Sequence, residues 1–309
     1  MLRARPFATR LKLLMALAAA SGGSAFLPAP AAAAVVLAPH RAIYDLTLVR
    51  ASEKRQLEAV RGRILYDFSG SPCEGYALQF RQVSELNSGA GRVSLSDLRA
   101  STWEDGAAQH FRFSSENFLD EKSLEKVDGD AERKADGITV KLSKPQKKTF
   151  SLDAALAFPA EHMRRIIEAA VEGKSILELP VYDGSETGEK TFNTLTVIGR
   201  EIAPGEKPAK ADAAAGNAEL AKLRRWPVTI SYFERTANSD SGEQTPTYAL
   251  SFELYENGVS RALSLDYGDF VVAGEMSQFD LRQPASCNSE AGKAAAPKDA
   301  AGGEAAPAK

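Results

Sequence analysis

The sequence predicts an all-β fold with a single amphipathic helix. Strand-like segments follow one another along most of the chain, turn-forming residues recur between them at short intervals, and one segment has helical periodicity. Because short turns join neighbouring strands, we expect consecutive antiparallel hairpins. The pattern indicates roughly twelve to fourteen strands.

Residues 1–34 have the organisation of a secretory signal peptide. Their four basic residues are Arg3, Arg5, Arg10 and Lys12. A short apolar segment, LKLLMALAAA, and an alanine-rich stretch ending at Ala34 complete the pattern. Cleavage after Ala34 is expected, with Ala25 as the alternative site, and an amphipathic organelle-targeting peptide is the competing interpretation. The apolar segment is well short of the roughly 18 to 20 residues that span a membrane, and no later segment approaches that length, so we expect an exported chain without a transmembrane segment.

The charge balance argues against a nucleic-acid partner. The chain has 38 Lys and Arg residues against 41 Asp and Glu residues. Removal of the four basic residues in 1–34 leaves 34 against 41, a formal charge of −7. Nucleic acid attracts basic surfaces through its phosphates. We predict one domain over 35–288, although roughly 275 residues are also enough for two small domains.

The predicted strands contain aromatic and β-branched residues in partial alternation. Clear examples are 57–68, 75–86, 108–119 and 246–256. The cleanest alternation is Tyr248, Leu250, Phe252 and Leu254, and an earlier one is Tyr44, Leu46 and Leu48. Every second side chain of a strand lies on the same face, so these faces are predicted to be buried and the first strand to begin near His40.

Turn signals separate the predicted strands. They are DGD (128–130), ADG (135–137), DGSETGE (183–189), ENG (256–258) and YGD (267–269). Asp-Gly and Asn-Gly pairs supply the positive φ that tight hairpin turns require.

The helix is predicted over 158–174, FPAEHMRRIIEAAVEGK. Its apolar stripe is Met163, Ile166, Ile167, Ala170 and Val171, and its polar face is Glu161, Arg164, Arg165, Glu168 and Glu172. Pro159 suits the first turn, and Gly173 can adopt the left-handed conformation that ends a helix. We expect the stripe to pack on the sheet or plug a barrel, with a membrane-surface helix as the alternative.

Two segments have almost no large apolar residue and are predicted to be disordered. One is the insertion 203–219, APGEKPAKADAAAGNAE, and the other is the Ala/Pro-rich tail 289–309. Neither can bury enough surface to offset the entropy lost on ordering.

Cys73 and Cys287 are the two cysteines of the chain. In an oxidising compartment two cysteines most simply form a disulfide. A catalytic cysteine and two free thiols are the competing interpretations, and no histidine near either cysteine in the sequence supports the former.

No set of residues predicts catalysis or metal binding, so no catalytic, cofactor or metal site is assigned. His40, His110 and His162 are far apart in the sequence and lack metal-ligand spacing. Ser185 lacks the Gly-x-Ser-x-Gly context of a nucleophile elbow and is interpreted as a turn residue. In DGDAERKAD, 128–136, Arg133 occupies the position where a calcium loop needs glycine.

Four segments carry a resemblance to a known family. They are LAPHRAIYDLTL (37–48), CEGYALQFRQV (73–83), the helix 158–174 and LPVYDGSETGEKTFNTLTVIG (179–199). They resemble the EipB-like cell envelope integrity family of alphaproteobacterial periplasmic proteins, over residues 37 to 288. The resemblance implies a strongly bent antiparallel sheet that forms an open, spiral-like β-barrel with a helix. It also implies one disulfide, at positions matching Cys73 and Cys287, and no enzymatic activity.

The resemblance further implies a role in envelope integrity and, as a type of partner, a periplasmic tetratricopeptide-repeat protein. The leading hypothesis is therefore a non-enzymatic periplasmic protein that binds a protein partner. The alternative is a carrier of a lipid or acyl chain, because an incompletely closed barrel can enclose an apolar cavity. An enzyme ranks third, since no nucleophile, base and orienting group can be named together.

Overall fold

The structure is a computed structural model that describes residues 35–53, 57–89, 91–235, 244–284 and 287. The predicted signal peptide 1–34 and the tail 289–309 lie outside these residues. No helix within the described ranges is both long and apolar enough to cross a membrane.

The described residues form fourteen β-strands and one α-helix. The strands are β1 (His40–Ala51), β2 (Ala59–Ser71), β3 (Gly75–Asn87), β4 (Val93–Glu104), β5 (His110–Leu119), β6 (Lys122–Lys134), β7 (Gly137–Lys144), β8 (Lys148–Leu152), β9 (Ile176–Val181), β10 (Phe192–Ile198), β11 (Arg225–Glu234), β12 (Tyr248–Tyr255), β13 (Ser260–Asp266) and β14 (Phe270–Leu281). Helix α1 (Pro159–Val171) lies between β8 and β9. Strand number and helix count agree with the sequence-based prediction.

All fourteen strands belong to one antiparallel sheet with the order β8-β7-β6-β5-β4-β3-β2-β1-β14-β13-β12-β11-β10-β9. Strands adjacent in sequence pair with each other everywhere except between β8 and β9, and the first and last strands pair in the middle of the sheet. The sheet is therefore unclosed, and its two edges are the strands on either side of α1. The predicted fold class, an open antiparallel barrel with one helix, is confirmed.

Curvature places one face of this sheet inward. Register shifts, which bend strands and increase their twist, occur at Ile43/Tyr44, Leu48/Arg50, Asn117/Phe118, Asp128/Gly129 and Ser251/Glu253. In the first half of β1 the buried residues alternate with exposed or half-buried ones, and in β2 the buried Val60, Ile64 and Phe68 are four positions apart and so share one face. The curled sheet thus lines an apolar interior.

The DGD sequence at 128–130 predicts a turn, and this prediction is wrong. Asp128, Gly129 and Asp130 lie inside β6, at the register shift between β6 and β7. A glycine can mark a bulge within a strand as well as a turn between two strands. The signals at 135–137, 256–258 and 267–269 do lie at the connections between consecutive strands.

Helix α1 packs its apolar side onto the inner face of the sheet. Ile166 and Ile167 are fully buried in a cluster with Trp226, Phe252 and Leu254. Pro159 occupies the first turn, and Gly173, with φ of +76°, follows the helix end, as predicted.

The boundary of the buried stripe on α1 differs from the prediction. Val171 was included in the stripe, but it is 46 % exposed, and His162 is buried. Val171 is the last residue of the helix, so it lies at the rim of the contact. Two residues of the predicted polar face also lie in contacts, because Glu161 and Arg164 pair with Arg133 and Glu104.

The insertion 203–219 differs from the expectation of disorder, because its second half packs on the sheet. Ala214 is 1 % exposed and the backbone N–H of Ala213 donates to the carbonyl of Met276. Asp212 forms a buried ion pair with Arg261, with Nε 2.9 Å from Oδ2. The composition of the segment did not predict this anchoring. The segment lacks large apolar residues and is held instead by a buried ion pair and a small buried alanine.

Candidate functional site

The inner face of the sheet and α1 enclose a cavity of about 690 Å³. This volume lies within the roughly 300 to 1,000 Å³ that small-molecule sites occupy. Its wall is mainly apolar. The apolar and aromatic residues include Ile64, Tyr66, Phe68, Tyr76, Leu78, Phe80, Leu98, Met163, Ile230, Tyr232, Tyr248, Leu250, Phe252 and Leu263. A wall of this composition suits an apolar ligand.

One side of the cavity is an aromatic row on β1, β2 and β3. Tyr66 and Phe68 are alternate residues of β2 and therefore share its inner face. His40 stacks on Tyr66 with ring centroids 5.4 Å apart, and Phe68 stacks on Tyr76 at 5.5 Å. Burial raises the pKa of Tyr66 to about 12 and lowers the pKa of His40. The row therefore presents neutral aromatic rings.

The wall also holds a second aromatic pair, Tyr232 of β11 and Tyr248 of β12. The two residues are register partners, and their rings stack at 4.3 Å. Phe192 and His162 meet the pair edge-on, with ring centroids 6.0 and 6.4 Å from Tyr232. Stacked and edge-on rings at these distances fix one another's orientation.

Helix α1 contributes Pro159, Ala160, His162 and Met163 to the cavity wall. The Nε2 atom of His162 lies 3.3 Å from the hydroxyl of Thr194. Burial lowers the pKa of His162 to about 4. At neutral pH the imidazole is uncharged.

Glu104, at the end of β4, anchors the start of α1. Its carboxylate accepts the backbone N–H groups of Ala160 at 2.6 Å and Glu161 at 2.8 Å, and its Oε1 lies 3.8 Å from Nη2 of Arg164. These are free N–H groups of the first helical turn, where negative charge is favoured. Burial nevertheless raises the pKa of Glu104 to about 7.

The loop between β9 and β10 brings Asp183 and Ser185 to the cavity wall. Oδ1 of Asp183 accepts the backbone N–H of Ser185 at 2.9 Å, which forms a local turn. Gly184, with φ of +67°, packs against the ring of Phe113, where a Cβ atom would lie 2.4 Å from the ring carbons. The loop therefore needs glycine at this position to approach the wall. Burial raises the pKa of Asp183.

Among the residues considered as candidate site residues or turn residues, the structure brings His40, His162, Asp183 and Ser185 to one cavity. His110 is exposed at the start of β5 and lies outside the cavity wall. The two buried histidines lie in separate aromatic surroundings, and Ser185 lies in the turn that Asp183 stabilises. Within the described ranges, no group of three or more His, Cys, Asp or Glu side chains could hold a metal ion.

Sequence reasoning missed Glu104 and Tyr232, because no alternation was described for the segment that forms β11. It predicted Tyr248 on a buried face and Tyr66 within the strand 57–68, but not that these side chains line one cavity. Glu104 is the last residue of β4, and its carboxylate accepts the backbone N–H of Ala160, which lies 56 residues later in the chain. No short sequence pattern predicts a contact between residues so far apart.

Cys73, in the turn between β2 and β3, is bonded to Cys287 after the end of β14, with a Cα–Cα distance of 5.7 Å. The predicted pairing is thus present in the structure. Arg282, close to this bridge, forms a bidentate ion pair with Asp67 of β2. Both contacts hold the end of the last strand beside the β2–β3 hairpin.

Comparison with known proteins agrees with the resemblance seen in the sequence. The family model described as EipB-like matches residues 31–283. The cell envelope integrity protein EipB of Brucella abortus strain 2308 is 37 % identical over 270 residues, which cover 85 % of this chain and 93 % of that protein.

A solved structure shares the fold. It is a crystal structure from Brucella abortus described as a β-barrel-like protein of a domain of unknown function. It has 36 % sequence identity and a TM-score of 0.73, and the match covers 81 % of this chain and all of the other. With a family match over most of the chain and a relative of this identity, the protein belongs to the EipB-like family.

Proposed function

We propose that this protein supports the integrity of the cell envelope from the periplasm, as a binding protein and not as a catalyst. The name of its Brucella relative supports the role in the envelope. The absence of an assignable nucleophile, base and orienting group among the cavity residues supports binding over catalysis.

The ligand that the geometry supports best is an apolar chain, such as a lipid or acyl chain, held in the barrel cavity. The observation that carries this proposal is the cavity of about 690 Å³ with its aromatic and aliphatic wall. An apolar chain leaving water for such a wall gains roughly 0.8 kcal/mol for each methylene buried. This was the second of the two binding hypotheses from the sequence.

A fluorescent apolar probe, N-phenyl-1-naphthylamine, tests the cavity directly. Ala100 of β4 lines the cavity, and its neighbour Ser101 does not. We expect Ala100→Phe to fill part of the cavity and weaken probe binding several-fold, whereas Ser101→Phe leaves it unchanged. Equal binding by both variants and the wild type would show that the probe does not enter the cavity. Native mass spectrometry of protein gently extracted from periplasm would then identify the natural occupant.

A periplasmic protein partner, as the family resemblance implies for a tetratricopeptide-repeat protein, is the second candidate. The observation that favours it is the sheet edge at β9, which pairs with β10 along its length on one side and is bridged on the other by Ala157 at Val181. Ile176 at the start of this edge is 59 % exposed. Sheet edges with exposed apolar residues commonly receive a partner segment.

A photo-crosslinking residue tests the partner. We expect Ile176 replaced by benzoylphenylalanine to crosslink to a periplasmic repeat protein in cells. The same replacement at Val49, an equally exposed apolar residue on β1, serves as the control. Identical crosslinks from both positions would argue against a site at the β9 edge.

A further inference from the structure

The charged residues of the cavity wall all have the same sign. Five carboxylates line it: Glu104, Glu125, Asp183, Glu186 and Asp266. No lysine or arginine is among the described residues of the wall. A ligand with an anionic head group would therefore enter without a cation to pair with, at a high desolvation cost.

Three of the five carboxylates are already paired with cations. Asp266 pairs with Arg50 at 2.9 Å and Glu186 with Lys190 at 2.5 Å, while Glu104 lies 3.8 Å from Arg164. Asp183 and Glu125 form no ion pair within the part of the chain that the structure describes. Both are half-buried, and Asp183 lies in the loop that packs tightly on the ring of Phe113 at Gly184.

The chain geometry places Asp183 beside the stacked pair Tyr232 and Tyr248. Strand β9 ends two residues before Asp183 and there pairs with Phe192, whose ring lies 6.0 and 6.1 Å from the rings of Tyr232 and Tyr248. The charge of Asp183 adds to the effect of burial in raising the pKa of both phenols. All three side chains line the cavity, and His162 meets Tyr232 edge-on beside them. A carboxylate next to electron-rich ring faces is the combination that proteins use for ammonium groups, through ion pairing and cation–π attraction.

We propose that the apolar ligand of this cavity carries a positively charged head group, with Asp183 and the Tyr232/Tyr248 pair as the residues that bind the charge. This inference rests on the proposed function, because it assumes that the cavity takes up an apolar chain. It adds the chemical class of the ligand: a long-chain amine or quaternary ammonium compound, in contrast to a fatty acid or an anionic phospholipid.

Two probes with the same chain test the proposal. Dodecyltrimethylammonium and dodecanoate, both below their micellar concentrations, are compared with the neutral dodecyl maltoside by isothermal titration calorimetry on the full-length mature protein. We expect the ammonium compound to bind at least about tenfold more tightly than dodecanoate, with the maltoside between them. Asp183→Asn keeps the acceptor for the Ser185 N–H and should remove most of this preference.

Glu178→Gln is the matched control. Glu178 is an exposed carboxylate on β9, outside the cavity wall, so the variant removes the same charge without touching the site. Its preference for the ammonium probe should equal that of the wild type. Tyr248→Leu, which removes a ring face but no charge, provides a second test if Asp183→Asn does not fold.

The outcomes separate this inference from the proposed function. If no dodecyl compound binds, the proposed uptake of an apolar chain fails. If dodecanoate binds as well as the ammonium compound, chain uptake stands and the charge preference is wrong. If the preference survives both Asp183→Asn and Tyr248→Leu unchanged, these residues do not bind the head group and the assignment is overturned.

Discussion

Four titratable side chains on the cavity wall have pKa values shifted toward their neutral forms. Burial lowers the pKa of His40 and His162 and raises the pKa of Glu104 and Asp183. The common cause is an apolar wall that disfavours charge. At the residue scale, the cavity without a ligand therefore disfavours charge of either sign. A cationic head group beside Asp183 would favour the ionised form of its carboxyl group and so lower its raised pKa.

His162 provides a pH-dependent prediction. Its pKa is about 4 in the folded protein against an ordinary 6.5, so the unfolded chain binds more protons between these values. The contribution of His162 to stability is complete above pH 6.5 and is lost as the pH falls through 4, by up to roughly 3 kcal/mol. We expect His162→Gln to lose less stability than the wild type between pH 6.5 and pH 4.5 in urea titrations.

The exposed His110 is the control for this titration. His110→Gln should follow the pH profile of the wild type. Glu104 changes the unfolding free energy in the opposite direction over part of this pH range. Because its pKa is raised to about 7 in the folded protein, its contribution lowers the unfolding free energy as the pH rises from 4.5. Glu104 is present in the wild type and in both variants, so this contribution cancels in the comparison. Parallel profiles for wild type and His162→Gln would mean that the imidazole is not buried as described.

At the scale of elements, α1 lies between the two edge strands in sequence and packs on the inner face of the sheet. Its connection runs from β8 through Ala157, which bridges to Val181 of β9. Phe158 before the helix is fully buried, and Arg133 of β6 stacks over its ring at 4.7 Å while pairing with Glu161. The helix and the residues before it thus connect β6 and the β9 edge to the core through packing and an ion pair.

Ile166→Asp tests the packing of the helix. The substitution places a carboxylate without a partner at a site of 0 % exposure, and we expect a loss of several kcal/mol in unfolding free energy. Val171→Asp makes the same chemical change at 46 % exposure on the same helix, where less than about 1 kcal/mol is expected. Similar small losses in both variants, measured by denaturant titration, would remove α1 from the core.

The insertion 203–219 is held by charge. Arg261 is 2 % exposed and contacts Asp212, Glu253 and the carbonyl of Lys210, whose oxygen lies 2.6 Å from Nη2. Arg225 of β11 similarly donates to the carbonyl of Glu206 at 3.0 Å. Two strand arginines thereby satisfy the backbone of a segment that has few apolar side chains.

Asp212→Ala should release the insertion from the sheet. Removal of one partner leaves the buried Arg261 charge less well compensated, and we expect a loss of about 3 kcal/mol. Limited proteolysis should then cut within 203–219 faster than in the wild type. Lys222→Ala removes an exposed pair with Glu219 beside the same loop and should change neither quantity. Unchanged proteolysis in Asp212→Ala would show that the ion pair does not anchor the segment.

At the scale of the whole molecule, the antiparallel pairing of β1 with β14 places the first and the last strand of the chain side by side. The register runs from His40↔Leu281 to Ala51↔Phe270. The disulfide between Cys73 and Cys287 then links residues separated by 214 positions. Long-range closure of this kind restricts the unfolded chain more than the folded one.

Cys287→Ser should lower the melting temperature markedly. For a loop of this length the chain-entropy model gives about 5 kcal/mol, as an upper figure, because real bridges often deliver less. Deletion of 289–309 leaves the bridge intact and should have little effect. A melting temperature in Cys287→Ser equal to that of the tail deletion, measured by calorimetry without reductant, would contradict a stabilising role for the bridge.

The amino-acid sequence alone determined the all-β class with consecutive hairpins, the helix and the two cysteines, because these depend on local periodicity and residue type, whereas the open barrel was implied by the family resemblance. Alternation in Tyr248–Leu254 and the stripe through Ile166 and Ile167 identify buried faces whatever they pack against. The tertiary structure decided what those faces enclose. The cavity, the Glu104 contact to α1 and the anchoring of Asp212 by Arg261 join residues far apart in the chain, through curvature and desolvated charge pairs. No short window of sequence contains both partners of such contacts, so the site emerges when the sheet curls.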